Sequence, residues 1–271
     1  MKVAFCASEV FPFAKSGGLG DVCGSLPLAL EKMGVEISIF MPGYRSIGQA
    51  GYPIHQVNEH VSRTTIGSGI NVYFIEHKGY FDRGGFYGDG TNDYPDNLDR
   101  FSFFCDQILV LLKQLDFQPD IVHCHEWQTA LIPVYIKKKY KGDKFYSEMK
   151  SLLTIHNMAF QGIFPGNQYN KLGLDQGLFS PSGFQFHGQV NLLKAGIIYS
   201  DIVTTVSPQY AKEIRTKQFG CGLEEVLRER KGPVDGILNG IDGKIWDPKT
   251  DGFIAQKYSE SNLMEAKSTN K

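Results

Sequence analysis

Short apolar, β-prone runs alternate with segments of helical periodicity along most of the chain. In the helical segments apolar residues recur every three to four positions, and Asn97 and Ser207 stand where capping residues are favoured. Strands that alternate with helices pair in parallel and are covered on both faces, so the pattern predicts an α/β fold with a doubly wound, mainly parallel sheet. The predicted core strands are residues 2–8, 35–41, 120–125, 151–155, 201–206 and 233–238, and the predicted helices are residues 20–34, 97–115, 126–140, 189–200 and 207–217.

Three segments depart from this alternation. Residues 54–77 have the pattern of a β-hairpin insert. Residues 78–97 show no periodicity and are dense in Gly, Asp and Tyr, and a loop of that length is usually functional or mobile. The polar residues 249–271 contain no further strand pattern. We therefore expect one large domain over residues 1–248 and a linker or tail over residues 249–271.

The charge balance excludes partners that are held by bulk charge. The chain has 28 basic and 29 acidic residues, so no basic field attracts nucleic acid or an anionic membrane surface. The apolar run "ILVLL" at 108–112 is far too short to span a bilayer, and the N-terminus lacks an export pattern, so we expect a cytoplasmic protein. Five irregularly spaced cysteines, mostly in apolar segments, are typical of reduced thiols in a core.

The segment "FAKSGGLGDV" at 13–22 places a lysine and glycines between the first strand and the first helix. The N-H groups at a helix N-terminus favour an anion, glycines allow a close approach, and Lys15 adds a full charge. The alternative is a tight turn with a solvated lysine. A dinucleotide fingerprint fails because Cys23 stands where its third glycine belongs, and a phosphate loop fails because Lys15 precedes the glycines.

Four more polar clusters follow predicted strands, and ligands of doubly wound sheets bind beyond the carboxyl ends of the strands. A lone histidine there is more often structural than catalytic, but the clusters together predict a site. His123 and His125 would share one face of their strand and Glu126 the other, with no third ligand evident, so we expect no metal. The absence of a G-x-S-x-G pentapeptide disfavours a serine hydrolase. The clusters are "HCHEW" at 123–127, "HNMAFQG" at 156–162, "SPQY" at 207–210 and "NGID" at 239–242.

Several of these motifs together resemble one family. "KSGGLGDV" at 15–22 resembles the K-[TS]-G-G-L-[GA]-D-V signature of the bacterial and plant glycogen and starch synthases. The resemblance implies a two-domain GT-B glycosyltransferase, in which two Rossmann-like domains face each other across a cleft without a required metal or other cofactor. It also implies retaining transfer of glucose, usually from ADP-glucose, to an α-1,4-glucan, in the cytoplasm or the plastid stroma. Further family-like segments follow in family order across roughly residues 1–250: "HCHEWQTAL", "TIHNMAFQG", "NLLKAGIIYSDIVTTVSPQYAKEI" and "GILNGIDGKIWDP".

The resemblance assigns the glycine loop to the sugar donor. It places Lys15 at the donor diphosphate and sugar, with the N-H groups of Gly17 and Gly18 beside it. It gives Asp21 the task of orienting donor or acceptor hydroxyls. Glu126 stands where the family commonly has aspartate, and its role is left open.

The resemblance assigns a second set of residues to the sugars. His156 corresponds to the family's essential histidine at the transferred glucose, with Asn157 beside it. Asn239 corresponds to a sugar-pocket position and is followed by Asp242. Tyr94, in the long loop, corresponds to a tyrosine of the cleft.

One departure from the family is large, because family members are nearly twice as long. The chain reaches Lys271 without the E-x7-E motif of the second domain, so we expect an N-terminal, acceptor-side half that needs a C-terminal domain as its partner and is inactive alone. A noncatalytic glucan-binding module and a nucleotide-binding oxidoreductase are the alternatives, the latter disfavoured by the broken fingerprint. ADP-glucose and UDP-glucose stay open as donors because the base pocket belongs mostly to the second domain.

Overall fold

A large, mostly parallel sheet organises the chain in the computed structural model, which describes residues 1–270. Its strand order is β12-β11-β7-β6-β1-β2-β5-β4-β3, and all pairs from β12 to β5 are parallel. The strands are β1 Lys2–Cys6, β2 Glu36–Pro42, β3 His55–Asn58, β4 Val61–Ile66, β5 Ile70–Ile75, β6 Ile121–His125, β7 Lys150–Ile155, β8 Ile163–Pro165, β9 Gln185–Phe186, β10 Gln189–Asn191, β11 Ile202–Thr205 and β12 Val234–Gly236. The α-helices are α1 Gly18–Lys32, α2 Lys78–Phe81, α3 Asn97–Gln114, α4 Leu131–Val134, α5 Leu192–Tyr199, α6 Pro208–Glu213, α7 Glu224–Glu229 and α8 Leu263–Thr269.

The predicted fold class and the six predicted core strands are confirmed. Side chains on β1, β2 and β6 are mostly buried, because helices cover both faces of a parallel sheet. The insert predicted over residues 54–77 contains the hairpin β3–β4, as expected, and also β5, which pairs with β4 and, in parallel, with β2. The insert therefore extends the main sheet.

Two predicted helices differ from the structure. Residues 189–191 form β10, the centre of a small antiparallel sheet in the order β8-β10-β9 that the sequence analysis missed. Asn191 ends that strand and caps α5, because its Oδ1 accepts from the Lys194 N-H at 2.9 Å. The predicted helix 126–140 begins as a 3-10 turn and ends as a π-helical turn over Tyr135–Lys139.

The core contains most of the cysteines, as predicted. Cys6, Cys23, Cys105 and Cys124 are buried free thiols, and Cys221 is exposed. Burial raises the pKa of each of the four buried thiols, so they remain protonated and packed as small apolar groups.

The chain divides into two compact units, Met1–Asn239 and Gly240–Lys271. The first contains both sheets. The second contains α8, preceded by a 3-10 turn at Glu260–Asn262 with a capping box at Ser259. The boundary expected after residue 248 lies inside this second unit. Within residues 1–270, every helix is too short or too polar to cross a bilayer.

Candidate active site

The loops that follow β1, β6 and β7 lie at one edge of the main sheet. These three strands are parallel neighbours, with Cys6 beside Cys124 and His125 beside Thr154. Their carboxyl ends therefore bring the glycine loop, Glu126 and His156 to the same edge. This juxtaposition is the one that the sequence pattern predicted.

A buried carboxylate shapes the glycine loop between β1 and α1. Glu9 is 3% exposed and accepts hydrogen bonds from the Ser16 backbone N-H, from Ser16 Oγ at 2.8 Å and from the Tyr87 hydroxyl at 2.7 Å. A carboxylate buried in this way is stable only when its oxygens are paired. Glu9 thus fixes the backbone next to Lys15, a role that the sequence analysis did not anticipate.

Lys15 lies in front of the first turn of α1. Its Nζ is 2.7 Å from Asp21 Oδ1, and both side chains are partly exposed, 37% for Lys15 and 27% for Asp21. Among residues 1–270, and apart from the adjoining residues and the backbone of α1, no atom lies within 4 Å of the positions that a Cβ would occupy at Gly17 and Gly18. By contrast, a Cβ at Gly24 would lie 2.6 Å from the Phe11 carbonyl oxygen, so this glycine allows α1 to pack against the loop.

His156, directly after β7, is connected to the histidines of β6. Its Nε2 lies 3.0 Å from Nδ1 of His125, and the rings of His125 and His123 are 4.1 Å apart. Nε2 of His123 lies 2.7 Å from Oγ1 of Thr154, which in turn lies 2.7 Å from Oγ1 of Thr204. The predicted common face of His123 and His125 is confirmed, and hydroxyl and imidazole partners occupy it.

The three imidazoles are neutral near pH 7. Burial lowers the pKa of His156 to about 4 and that of His123 to about 3, and it holds the pKa of His125 well below its ordinary value. Within the described part of the chain, no group of three or more His, Cys, Asp or Glu side chains could hold a metal ion. The histidines can therefore offer one N-H and one lone pair each.

Glu126 adopts a backbone conformation that is essentially restricted to glycine, with φ 62° and ψ −177°. Such a conformation costs about 1–3 kcal/mol and is typical of functional sites. It turns the carboxylate inward, where Oε1 accepts from the backbone N-H groups of His156 and, at 2.9 Å, of Asn157. Oε2 is buried without a partner among residues 1–270. Glu126 therefore sets the turn that carries His156.

Burial raises the pKa of Glu126 from 4.5 to about 7, although its two backbone hydrogen bonds lower it. A raised pKa means that the folded state binds the proton more tightly, so this stabilisation is complete below pH 4.5 and is lost as the pH rises through about 7.

We expect the free energy of unfolding of the wild type to fall, relative to that of Glu126→Gln, by about 3 kcal/mol between pH 4.5 and pH 8. Urea unfolding of both chains across this range measures the difference. The buried histidines contribute a pH dependence of the opposite sign, but equally in both chains. If the free energies of unfolding of the two chains changed with pH in parallel, the raised pKa of Glu126 would be contradicted.

Tyr94 lies in an ordered loop, because the segment 78–97 is built around a buried guanidinium. Arg100 is fully buried and donates to the carbonyl oxygens of Tyr80 at 2.8 Å and Phe86 at 2.9 Å, as well as to the Asn97 side chain. The Tyr94 ring lies 4.9 Å from the Arg100 guanidinium. These contacts give the loop a defined structure, and the functional role expected of it stays a prediction.

The Tyr94 loop is also connected to the glycine loop. The Tyr94 N-H donates to the Tyr87 carbonyl at 2.9 Å, and the Tyr87 hydroxyl donates to Glu9, which holds Ser16 beside Lys15. One hydrogen-bonded path therefore joins the two loops.

The remaining predicted site residues lie at the surface. Asn157 is exposed, and its Oδ1 accepts from the Ala159 N-H at 2.9 Å. Asn239 is exposed and ends the first unit, three residues after β12. Asp242 belongs to the second unit, where its Oδ1 accepts from the Lys244 N-H at 2.8 Å. The sugar contacts expected of these residues stay predictions.

Comparisons with known proteins agree on one family. A family model described as the starch synthase catalytic domain matches residues 2–229. A glycogen synthase of Geotalea daltonii is 44% identical and covers 96% of this chain, and one of Syntrophotalea carbinolica is 41% identical and covers all of it. The catalytic domain of starch synthase IV from Arabidopsis thaliana, solved with ADP and acarbose, superposes with a TM-score of 0.84 at 35% identity over 96% of this chain. The chain spans 56–58% of the length of these relatives.

Proposed function

The chain belongs to the starch synthase catalytic domain family, and we propose that it is the N-terminal half of a glucosyltransferase that extends an α-1,4-glucan from ADP-glucose. The observation that carries this proposal is that Lys15, at the N-terminus of α1, and the neutral pair of His125 and His156 lie at the same edge of the sheet. The second domain that the longer relatives have would complete the cleft. We place the enzyme in the cytoplasm, or in the stroma if it comes from a plant.

The glycine loop suits a leaving nucleoside diphosphate. Cleavage of the bond between glucose and phosphate builds negative charge on the phosphate, and cations and N-H dipoles in fixed positions stabilise that charge. Lys15 and the N-H groups of Gly17 and Gly18, at the N-terminus of α1, would serve this task. In the free chain Asp21 holds Lys15, so an arriving phosphate would share or replace the Asp21 carboxylate as the partner of Nζ. Asp21 would then be available to a sugar hydroxyl.

Retention of configuration requires either a nucleophile of the protein or a mechanism on one face of the sugar. Glu126 is the carboxylate nearest in sequence to the histidine pair, but its Oε1 is occupied by two backbone N-H groups and its Oε2 is buried. We infer that Glu126 supports the turn and does not attack the sugar. The leaving phosphate would then accept the proton of the acceptor hydroxyl, while the protein orients both substrates.

The remaining residues would bind the sugars. His156 would contact the transferred glucose, with Asn157 beside it, and Tyr94 would pack against the glucan. Asn239 would belong to the sugar pocket, with Asp242 after it in the sequence. ADP is the ligand named for the Arabidopsis starch synthase IV structure, and it supports ADP-glucose over UDP-glucose as the donor here.

The 271-residue chain alone should bind maltoheptaose but should neither bind ADP-glucose tightly nor transfer glucose. In half a cleft the diphosphate stays in water, where Lys15 and the helix mouth contribute about 1 kcal/mol at best. A glucan can instead use aromatic and apolar surface that one domain already offers, such as Phe160, which is 61% exposed. Calorimetric titration with each ligand and a transfer assay with glycogen make the measurement.

The matched control is Lys15→Ala, which should leave the affinity for maltoheptaose unchanged. Micromolar binding of ADP-glucose, or turnover, would show that this chain is a self-sufficient enzyme. Binding of maltoheptaose without any transfer by the whole protein, second domain included, would favour a noncatalytic glucan-binding module.

A further inference from the structure

Two imidazoles meet at the candidate site through a single hydrogen bond. Nδ1 of His125, at the end of β6, lies 3.0 Å from Nε2 of His156, just after β7. His125 is fully buried, with its ring 4.4 Å from Phe5 and 4.1 Å from His123, whereas His156 keeps some exposed surface. His125 is therefore held inside the fold, and His156 stands between it and the open edge of the sheet.

Both rings are neutral near pH 7, because burial disfavours their charged forms. A neutral imidazole carries one proton, on either Nδ1 or Nε2. In a hydrogen bond between two neutral rings, one of the two facing nitrogens carries the proton and the other accepts it. The position of that proton fixes the tautomers of both rings together.

The other nitrogen of His125 decides between the two arrangements. Nε2 of His125 is buried and has no hydrogen-bond partner among residues 1–270. If Nδ1 of His125 accepted, Nε2 would carry a buried N-H without an acceptor, which native proteins avoid more strictly than an unpaired lone pair. If Nδ1 carries the proton, only a lone pair is left unpaired. The second arrangement is favoured.

We propose that His125 is a positioning residue that donates its Nδ1-H to Nε2 of His156 and so keeps the proton of His156 on Nδ1. Nδ1 of His156 is not among the buried atoms that lack a partner, and it is the nitrogen that the bond to His125 leaves available. His156 thus keeps an N-H on the ring nitrogen that is not bonded to His125. It suits an oxygen that accepts, such as a sugar hydroxyl oxygen, and it does not serve as a base.

The assignment of the tautomer rests on this chain alone, and only the use of the N-H rests on the proposed function. Its test is a long-range ¹H–¹⁵N NMR spectrum of the 271-residue chain with ¹⁵N-labelled histidine rings, near neutral pH. The expected spectrum shows Nδ1 of His156 protonated and Nε2 unprotonated.

Three variants sharpen the test. His125→Asn places a side-chain amide donor near the position of Nδ1 and should keep the tautomer of His156. His125→Leu removes the donor and should release His156 toward the Nε2-H form. His123→Gln, the matched control on the same face of β6, keeps a polar group toward Thr154 and should leave His156 unchanged.

A wild-type spectrum with Nε2-H on His156 would overturn the proposal, and so would a tautomer that His125→Leu leaves unchanged. If His125→Leu fails to fold, the wild-type and His125→Asn spectra still test the proposal, because each reports the tautomer of His156. In the whole enzyme, kcat should fall at least tenfold in His125→Leu and stay within threefold of wild type in His125→Asn. A released tautomer with full activity in His125→Leu would instead confirm the positioning of His156 and contradict the proposed use of its N-H.

Discussion

Replacement of Lys15 by alanine in the whole enzyme, second domain included, is expected to lower kcat by roughly 100-fold. The substitution removes a full positive charge beside the position proposed for the leaving diphosphate, and the loss of one such electrostatic contact costs on the order of 3 kcal/mol in the transition state. The fold should persist, because Lys15 is 37% exposed and its pair with Asp21 lies at the surface, where ion pairs contribute about 0–1 kcal/mol. Steady-state kinetics with saturating ADP-glucose, together with thermal unfolding, measure both quantities.

Lys32→Ala is the control for Lys15→Ala. Lys32 is exposed in the last turn of α1, at the other end of the same helix, so its loss changes the net charge equally without touching the site. Its kcat should match the wild type. Near-normal turnover of Lys15→Ala at saturating donor would contradict the assignment of Lys15 to the phosphate site.

Two substitutions of His156 should distinguish the roles of its two ring nitrogens. His156→Gln can place an amide oxygen near the position of Nε2, where it keeps accepting from His125, but it offers nothing at Nδ1. We expect it to retain the thermal midpoint and to lose about 100-fold to 1,000-fold in kcat, as is common when one positioned donor is removed.

His156→Asn should show the reverse pattern. Its amide replaces Nδ1 but leaves the buried ring of His125 without a partner, so we expect about 1–3 kcal/mol of lost stability and a smaller loss of activity. His60→Ala, at an exposed histidine of the β3–β4 turn, controls for the loss of an imidazole. Equal activities of the Gln and Asn variants would show that Nδ1 has no special role.

The sequence predicted the sheet and the edge where the candidate site lies, because both depend on local patterns. Apolar runs marked the six core strands, and the rule that ligands bind beyond parallel strands singled out Lys15 and His156. The family resemblance, which rested on the motifs around these residues, is confirmed by the comparisons. Periodicity did not predict the small sheet, whose strands have only two or three residues each.

The roles of Glu9 and Glu126 could not be predicted, because their partners are distant in sequence. Glu9 is paired with the Tyr87 hydroxyl, 78 residues away, and Glu126 is paired with backbone N-H groups 30 and 31 residues away. In the sequence each is one acidic residue after a strand, and nothing local distinguishes it from a solvated carboxylate. A glutamate at a backbone position that favours glycine carries no sequence signal either.

Arg100 fixes the loop over residues 78–97 partly through main-chain atoms. It donates to the carbonyl oxygens of Tyr80 and Phe86. Hydrogen bonds to backbone carbonyl groups do not depend on which side chains those residues have. The turn over 88–93 is closed by its own backbone pairing and by Asp89, whose Oδ1 accepts from two N-H groups within the turn. The turn therefore needs Asp89, and it also needs Gly88, where a Cβ would clash with the Asn92 carbonyl oxygen, and Gly90, whose φ is 97°. The exposed side chains of residues 91–93 can be exchanged during evolution or engineering while the loop keeps its shape, which makes these three positions suitable for varying surface contacts.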